Sequence, residues 1–378
     1  MNLLFHTLFL GSHLLAVDLA MAGPLVAIWL EGRETRLGDA LAGRIGRRLA
    51  AWSLAAATIG IGLGLVAVVA LAQLESSAYR ETFSRVQSYR WWGVAWELAF
   101  YVVCIAAYVL LWERLRRHRW WHRGLAVLAT TNLIWHFPAL FTIISTLTMR
   151  PDLKDLPLDR ALYWKLLLDG ETMSRVVHHW LAAAAVAAGA AMLLGAGNWG
   201  LGAGKEMDAG LGARGEGRAV REEKRGAPAD AKENAGAQIV RGAARLALVA
   251  TLFQIPVGLW VLFALPTAVQ NQLLGEDWIA TSLFGLSVVA ALGLMHHLAM
   301  ASVGTASLGK LSQRAVFRTA MLLAAVVFLM VATLHRARQC VLEPTKSAIV
   351  ASDLNSSSLS LWERAGVRGI AVNAKFIS

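Results

Sequence analysis

The residues of this chain that could do chemistry are ionisable side chains placed where water is scarce. His6, His13 and Asp18 fall within FHTLFLGSHLLAVDLAMAG, and Glu97 falls within GVAWELAFYVV. Asn132 and His136 lie in TTNLIWHFP, His178 and His179 in SRVVHHWLAAAA, His296 and His297 in LGLMHHLAM, and His335 in ATLHRARQ. An ionisable group at the centre of a bilayer costs at least ~2.5–3.5 kcal/mol on insertion scales, so each needs a reason. A neutral imidazole nitrogen is an axial ligand for haem iron, and a membrane helix bundle with inward imidazoles is one way to hold b-type haem. The plainer reading is a histidine that hydrogen-bonds across helices or reaches water at a span edge.

The elements that must position these groups are membrane spans. Of the 378 residues, 57% are hydrophobic and 16% are charged, against the roughly 25% charged of an ordinary soluble chain. Apolar runs near the length that crosses a ~30 Å hydrocarbon layer fall at about 3–30, 49–74, 89–112, 122–148, 174–196, 243–266, 278–303 and 314–335. The pattern predicts an all-α polytopic bundle of eight transmembrane helices. The opening MNLLFHTLFLGSH has no basic leader region, so it reads as a retained first span.

The net charge of +11 is not a nucleic-acid footprint. Lys and Arg crowd EGRETRLGDALAGRIGRR, ERLRRHRWWHR and residues 197–245, while residues 267–277 contain none. The positive-inside rule therefore predicts an N-terminus outside and basic loops in the cytoplasm of a bacterial inner membrane. With two cysteines, Cys104 and Cys340, and no CxxCH, neither a disulfide framework nor covalent haem attachment is expected. Residues 1–196 read as a five-span bundle and the Gly-, Ala- and charge-rich 197–240 as a flexible cytoplasmic linker. Residues 241–338 read as a three-span segment, and 339–378 as a disordered tail with no role. Pro24, Pro138 and Pro256 are expected to break their spans, without the paired symmetry of a transporter.

At ~1.5 Å per residue, His178 lies roughly 6 Å and His13 roughly 15 Å below the outer span edges, with His335 in the outer turn of the last span. These three are the candidate haem ligands. His178 and His179 project ~100° apart, so only one of them can face a given partner. His296 and His297, in the inner half of span 7, are expected to form a hydrogen-bonding pair. Glu97 is expected to relay protons, to orient a ligand, or to bond a neighbouring helix as a neutral acid.

The same residues carry a resemblance to subunit I of the cytochrome bd-type quinol oxidases, over residues 3–196. FHTLFLGSHLLAVDLAMAGPLVAIWLEGR resembles that family's first span, and TIGIGLG is similar to the Gly-alternating segment of its second. GVAWELAFYVVCIAAYVLLWER resembles the third span, with Glu97 at the first of two acidic positions. TTNLIWHFPALFTIISTLTMRP resembles the fourth, and SRVVHHWLAAAAVAAGAAML falls where the family carries a histidine ligand. The resemblance implies a low-spin b haem on His178 near the outer surface and a deeper haem on His13. ATLHRARQ sits where the family has an acidic ligand followed by Gly-Arg-Gln-Pro, which makes His335 its replacement. The chain departs from the family in three places. The second acidic position is Ile105, the outer quinol loop is reduced to TAVQNQLLGED, and no methionine opens span 7. The expectation is a membrane protein with one or two b haems that transfers electrons in a respiratory chain. Its partners would be lipid, a membrane subunit or cytochrome, and quinol, with no nucleic acid. The alternative is a haem-free membrane scaffold or transporter subunit.

Overall fold

The computed structural model describes residues 3–70, 77–153, 156–197, 229–303 and 313–342. Eight helices are long and apolar enough to cross a membrane. They are α1 (Leu3–Leu37), α2 (Ala40–Ala70), α3 (Ser88–Leu110), α4 (Arg119–Thr148), α5 (Gly170–Ala196), α6 (Ala229–Ala264), α7 (Trp278–Val303) and α8 (Gln313–Leu342). No strand occurs among the described residues, so the expected all-α bundle is the observed one. Short helices at Ser77–Arg85, Arg160–Leu167 and Thr267–Asn271 join the spans at one end. Most of the presumed linker and nearly all of the tail lie outside the described residues. The last part of the linker is the start of α6, where ADAKENAGAQ is dominated by good helix formers.

Side-chain caps set where the spans begin. Asp169 opens α5 by accepting from the Glu171 amide at 3.0 Å, and Asp277 opens α7 by accepting from the Ala280 amide at 2.7 Å. Between α1 and α2, Gly38 takes φ 65°, a conformation natural to glycine, and Asp39 then caps α2 through the Ala42 amide at 3.0 Å.

The centre of the bundle is α1 and α5. Helix α1 packs on α2, α4, α5 and α8, while α5 packs on α1, α4, α6 and α8. Small residues make this possible. The stretch AAAAVAAGAA of α5 lets its neighbours come close, and Met21, Leu30, Leu49, Tyr101 and Met192 fill the spaces between backbones.

The prolines do not break the helices, and two third-party donors explain how. Pro24 cannot donate to the Ala20 carbonyl four residues back, and that carbonyl instead accepts from the buried Tyr101 hydroxyl of α3 at 2.7 Å. Pro138 likewise orphans the Ile134 carbonyl, which accepts from the Trp180 indole N–H of α5 at 3.0 Å. In hydrocarbon a freed backbone group must be satisfied by a neighbour, and here adjacent helices supply the donors. Helix α6 also runs continuously through Pro256.

Candidate functional site

His6 and His13 lie seven residues apart on α1, which places them on one face ~10 Å apart along the axis. The His13 ring sits in a notch of α2. A Cβ on Gly64 would stand 2.7 Å from its Cε1, so no larger residue fits there without displacement. Its Nδ1–H donates to the Gly60 carbonyl at 2.8 Å. A carbonyl can only accept, so the proton belongs on Nδ1 and the lone pair on Nε2. This second bond is how ligating histidines have their tautomer and ring orientation fixed.

His178 and His179 diverge as neighbours on a helix must. His179 turns to α1, with its Nδ1 3.4 Å from Oδ1 of the buried Asp18. His178 turns to α6 opposite Gly258, where a Cβ would lie 3.9 Å from its Cε1. The Nδ1 of His178 is buried and makes no hydrogen bond. His335 comes to His6 and not to His13. The two rings stack with centroids 3.7 Å apart and planes at 11°. The three expected ligands therefore do not share one centre: His335 sits with His6, two turns along α1 from His13.

Glu97 is bonded through Oε1 to His136 Nδ1, and its backbone carbonyl accepts from Asn132 Nδ2 at 2.8 Å. Both side chains are partly open, 25% for Glu97 and 44% for His136, on the face of α3 and α4 turned away from the core. His296 and His297 meet edge to face with ring centroids 6.0 Å apart. Ile105 is fully buried in the core.

Two ionic clusters went unread in the sequence. At the end of the bundle with the Arg-rich connections, fully buried Glu31 of α1 faces Arg119 at 2.9 Å, Arg123 at 3.7 Å and His122 at 3.2 Å. Tyr108 donates to it at 3.3 Å. His122 is also fully buried, and its Nε2 reaches the Tyr108 carbonyl at 2.8 Å. Both of its nitrogens lie within hydrogen-bond reach of oxygens, and the ring stacks on Tyr108 at 4.2 Å. At the other end, Arg175 of α5 and Arg338 of α8 share Oε1 of the buried Glu171. The readable signals were acids in EGRETRLGD facing bases in RRHRWWHR, and the i,i+4 pair Glu171–Arg175.

Among the described residues no three His, Cys, Asp or Glu side chains converge on a bare ion.

This fold has a solved counterpart. The chain is similar to the structure of bd oxidase from Geobacillus thermodenitrificans, with a TM-score of 0.61 over 89% of this chain and 85% of that one. The identity is 12%, so the likeness is one of fold. No family model and no curated protein matches the sequence.

Proposed function

We propose that this chain is a membrane b-type haem protein of a respiratory electron-transfer assembly, with its N-terminus outside and its basic loops in the cytoplasm of a bacterial inner membrane. The observation that carries the reading is the His178 Nδ1, a buried imidazole nitrogen with no hydrogen bond inside an apolar bundle. A polar atom left unmatched in such a place asks for a partner the protein chain does not supply. The residues fit the group. His178 presents an unused nitrogen, and His13 has its tautomer preset by Gly60, with Nε2 left as the ligating atom. His335 is a third candidate ligand, beside His6.

Bound haem would supply one-electron chemistry at the iron. The chain's own work is to orient imidazoles and keep water out. The notch at Gly60 and Gly64 fixes the His13 ring, and the alanine-rich face of α5 closes the bundle around His178. Glu97 and His136 can hold a proton between them on the lipid-facing side of α3 and α4. A bilayer rejects such a pair, which supports a partner membrane subunit over that face. Quinol remains the donor class the fold suggests. The connection from α6 to α7, with the helix Thr267–Asn271 and a π turn at Gln272–Glu276, is short for a quinol-binding loop.

The test is the reduced-minus-oxidised absorption spectrum of the detergent-purified protein. A b-type band should be present, lost or strongly shifted in His178→Ala, and kept in His179→Ala. No haem band in any of the three would favour the haem-free scaffold.

A further inference from the structure

The connections α1–α2 and α3–α4 meet at one end of the bundle. Their sequences, EGRETRLGDALAGRIGRRLA and LWERLRRHRWWHR, together hold ten arginines, four carboxylates and no lysine. Each of those carboxylates is already engaged. Glu31 takes Arg119 and Arg123, Glu34 takes Arg116 and Arg119, Asp39 takes Arg33, and Glu113 takes Arg47 and Arg116, all between 2.9 and 3.7 Å. The pairs Arg47–Glu113 and Arg116–Glu34 tie the two connections to each other. Around this knot stand Arg36, Arg44, Arg114 and Arg117. All four are exposed, and none has a side-chain ion pair or hydrogen bond among the described residues. The local carboxylates are spent on the other arginines, so this surface keeps unmatched positive charge.

The level of the surface says which anion it meets. Trp120 and Trp121 follow Arg117 by three and four residues at the start of α4, and they are 87% and 77% exposed. Tryptophans at the end of a membrane helix mark the headgroup layer. Arg114 and Arg117 lie in the connection that leads directly into these rings, and their long side chains reach the same layer. The anion in reach there is a lipid phosphate. The type of cation agrees with this. Lysine or arginine would equally set the orientation of a span, but only the guanidinium fork pairs two N–H groups with two phosphate oxygens.

We propose that Arg36, Arg44, Arg114 and Arg117 form a binding surface for the headgroups of anionic phospholipids, with the ion-pair knot holding the two connections in place beneath it. Clusters of this size directly beyond a membrane span attract anionic lipid. The surface needs no haem, so it stands or fails separately from the proposed function, and it requires only that the helices span a membrane.

The experiment reconstitutes the full-length protein in phosphatidylcholine vesicles and adds spin-labelled phosphatidylglycerol or spin-labelled phosphatidylcholine. The motionally restricted part of the electron paramagnetic resonance spectrum reports lipid held at the protein. An arginine at the membrane surface changes anionic-lipid binding by about fivefold, so the wild type should prefer phosphatidylglycerol by about fivefold or more. Arg117→Gln should lower that preference by about two- to fivefold. Arg160→Gln removes an exposed arginine at the opposite end and should leave it unchanged. Equal restriction of the two lipids by the wild type overturns the surface and leaves the arginines to a partner in the aqueous phase. An equal loss in Arg160→Gln and Arg117→Gln also overturns it, because net charge alone then attracts the lipid. If inorganic phosphate at constant ionic strength abolishes the preference, the surface recognises free phosphate and the lipid assignment fails. Both replaced arginines are exposed, so the variants should fold, and the wild-type comparison needs neither of them.

Discussion

The bond from Tyr101 to the backbone at Pro24 can be weighed with a double-mutant cycle. Tyr101→Phe removes the hydroxyl that Ala20 O accepts at 2.7 Å, and the site is fully buried, so no water replaces it. Leaving a buried acceptor unmatched costs about 1–3 kcal/mol, and hydrogen bonds between membrane helices measure about 0.6 with a maximum near 1.7. The carbonyl at Ala20 has lost its helical donor to Pro24, so the cost should lie at about 1–2 kcal/mol, near the top of the membrane range. In a Pro24→Ala background the amide of residue 24 can donate to Ala20 O again, and Tyr101→Phe should then cost about 0–0.5 kcal/mol. The coupling between the two positions is therefore about 0.5–2 kcal/mol. It is measured by equilibrium unfolding in mixed SDS micelles, followed by far-UV circular dichroism, for wild type, both single variants and the double variant. The same cost for Tyr101→Phe in both backgrounds would show that the hydroxyl does not replace the missing proline donor.

Three further outcomes follow from the charge arrangement. Glu31→Gln leaves the fully buried His122 and the half-buried Arg119 and Arg123 against a neutral amide, and should destabilise by about 3–5 kcal/mol in the same assay, where a surface-like loss below about 1 would refute the buried cluster. Hydrogen bonds from Arg336 hold the Asp277 carboxyl down to about 2, below its ordinary value near 3.9. A depressed carboxylate adds stability that is full above about pH 4 and lost as the pH falls towards 2, and Arg336→Met should flatten thermal stability across that window. A reporter fused after Leu211 should be active only in the cytoplasm and one after Asn271 only outside; a periplasmic signal from the first would invert the topology.

Composition and periodicity determined the spans. Eight apolar runs became eight helices at nearly the expected places, because the length that crosses a bilayer and the absence of water inside it admit few other structures. Neighbour geometry on one helix was legible too: adjacent residues must diverge, and His178 and His179 face α6 and α1 respectively. What the sequence could not contain is which helix meets which, since lipid is as apolar as leucine and hydropathy says nothing about partners. Only the packing set His335 on His6 and not beside His13, and fitted the His13 ring against Gly64. The prolines show the same division. Sequence marks Pro24 and Pro138 as places where a helix loses a bond, but the donors that mend it, Tyr101 and Trp180, are more than forty residues away in the chain. Arg175 and Arg338 share one buried glutamate because α5 and α8 bring distant parts of the chain to the same end of the bundle, a juxtaposition that exists only once the helices have packed.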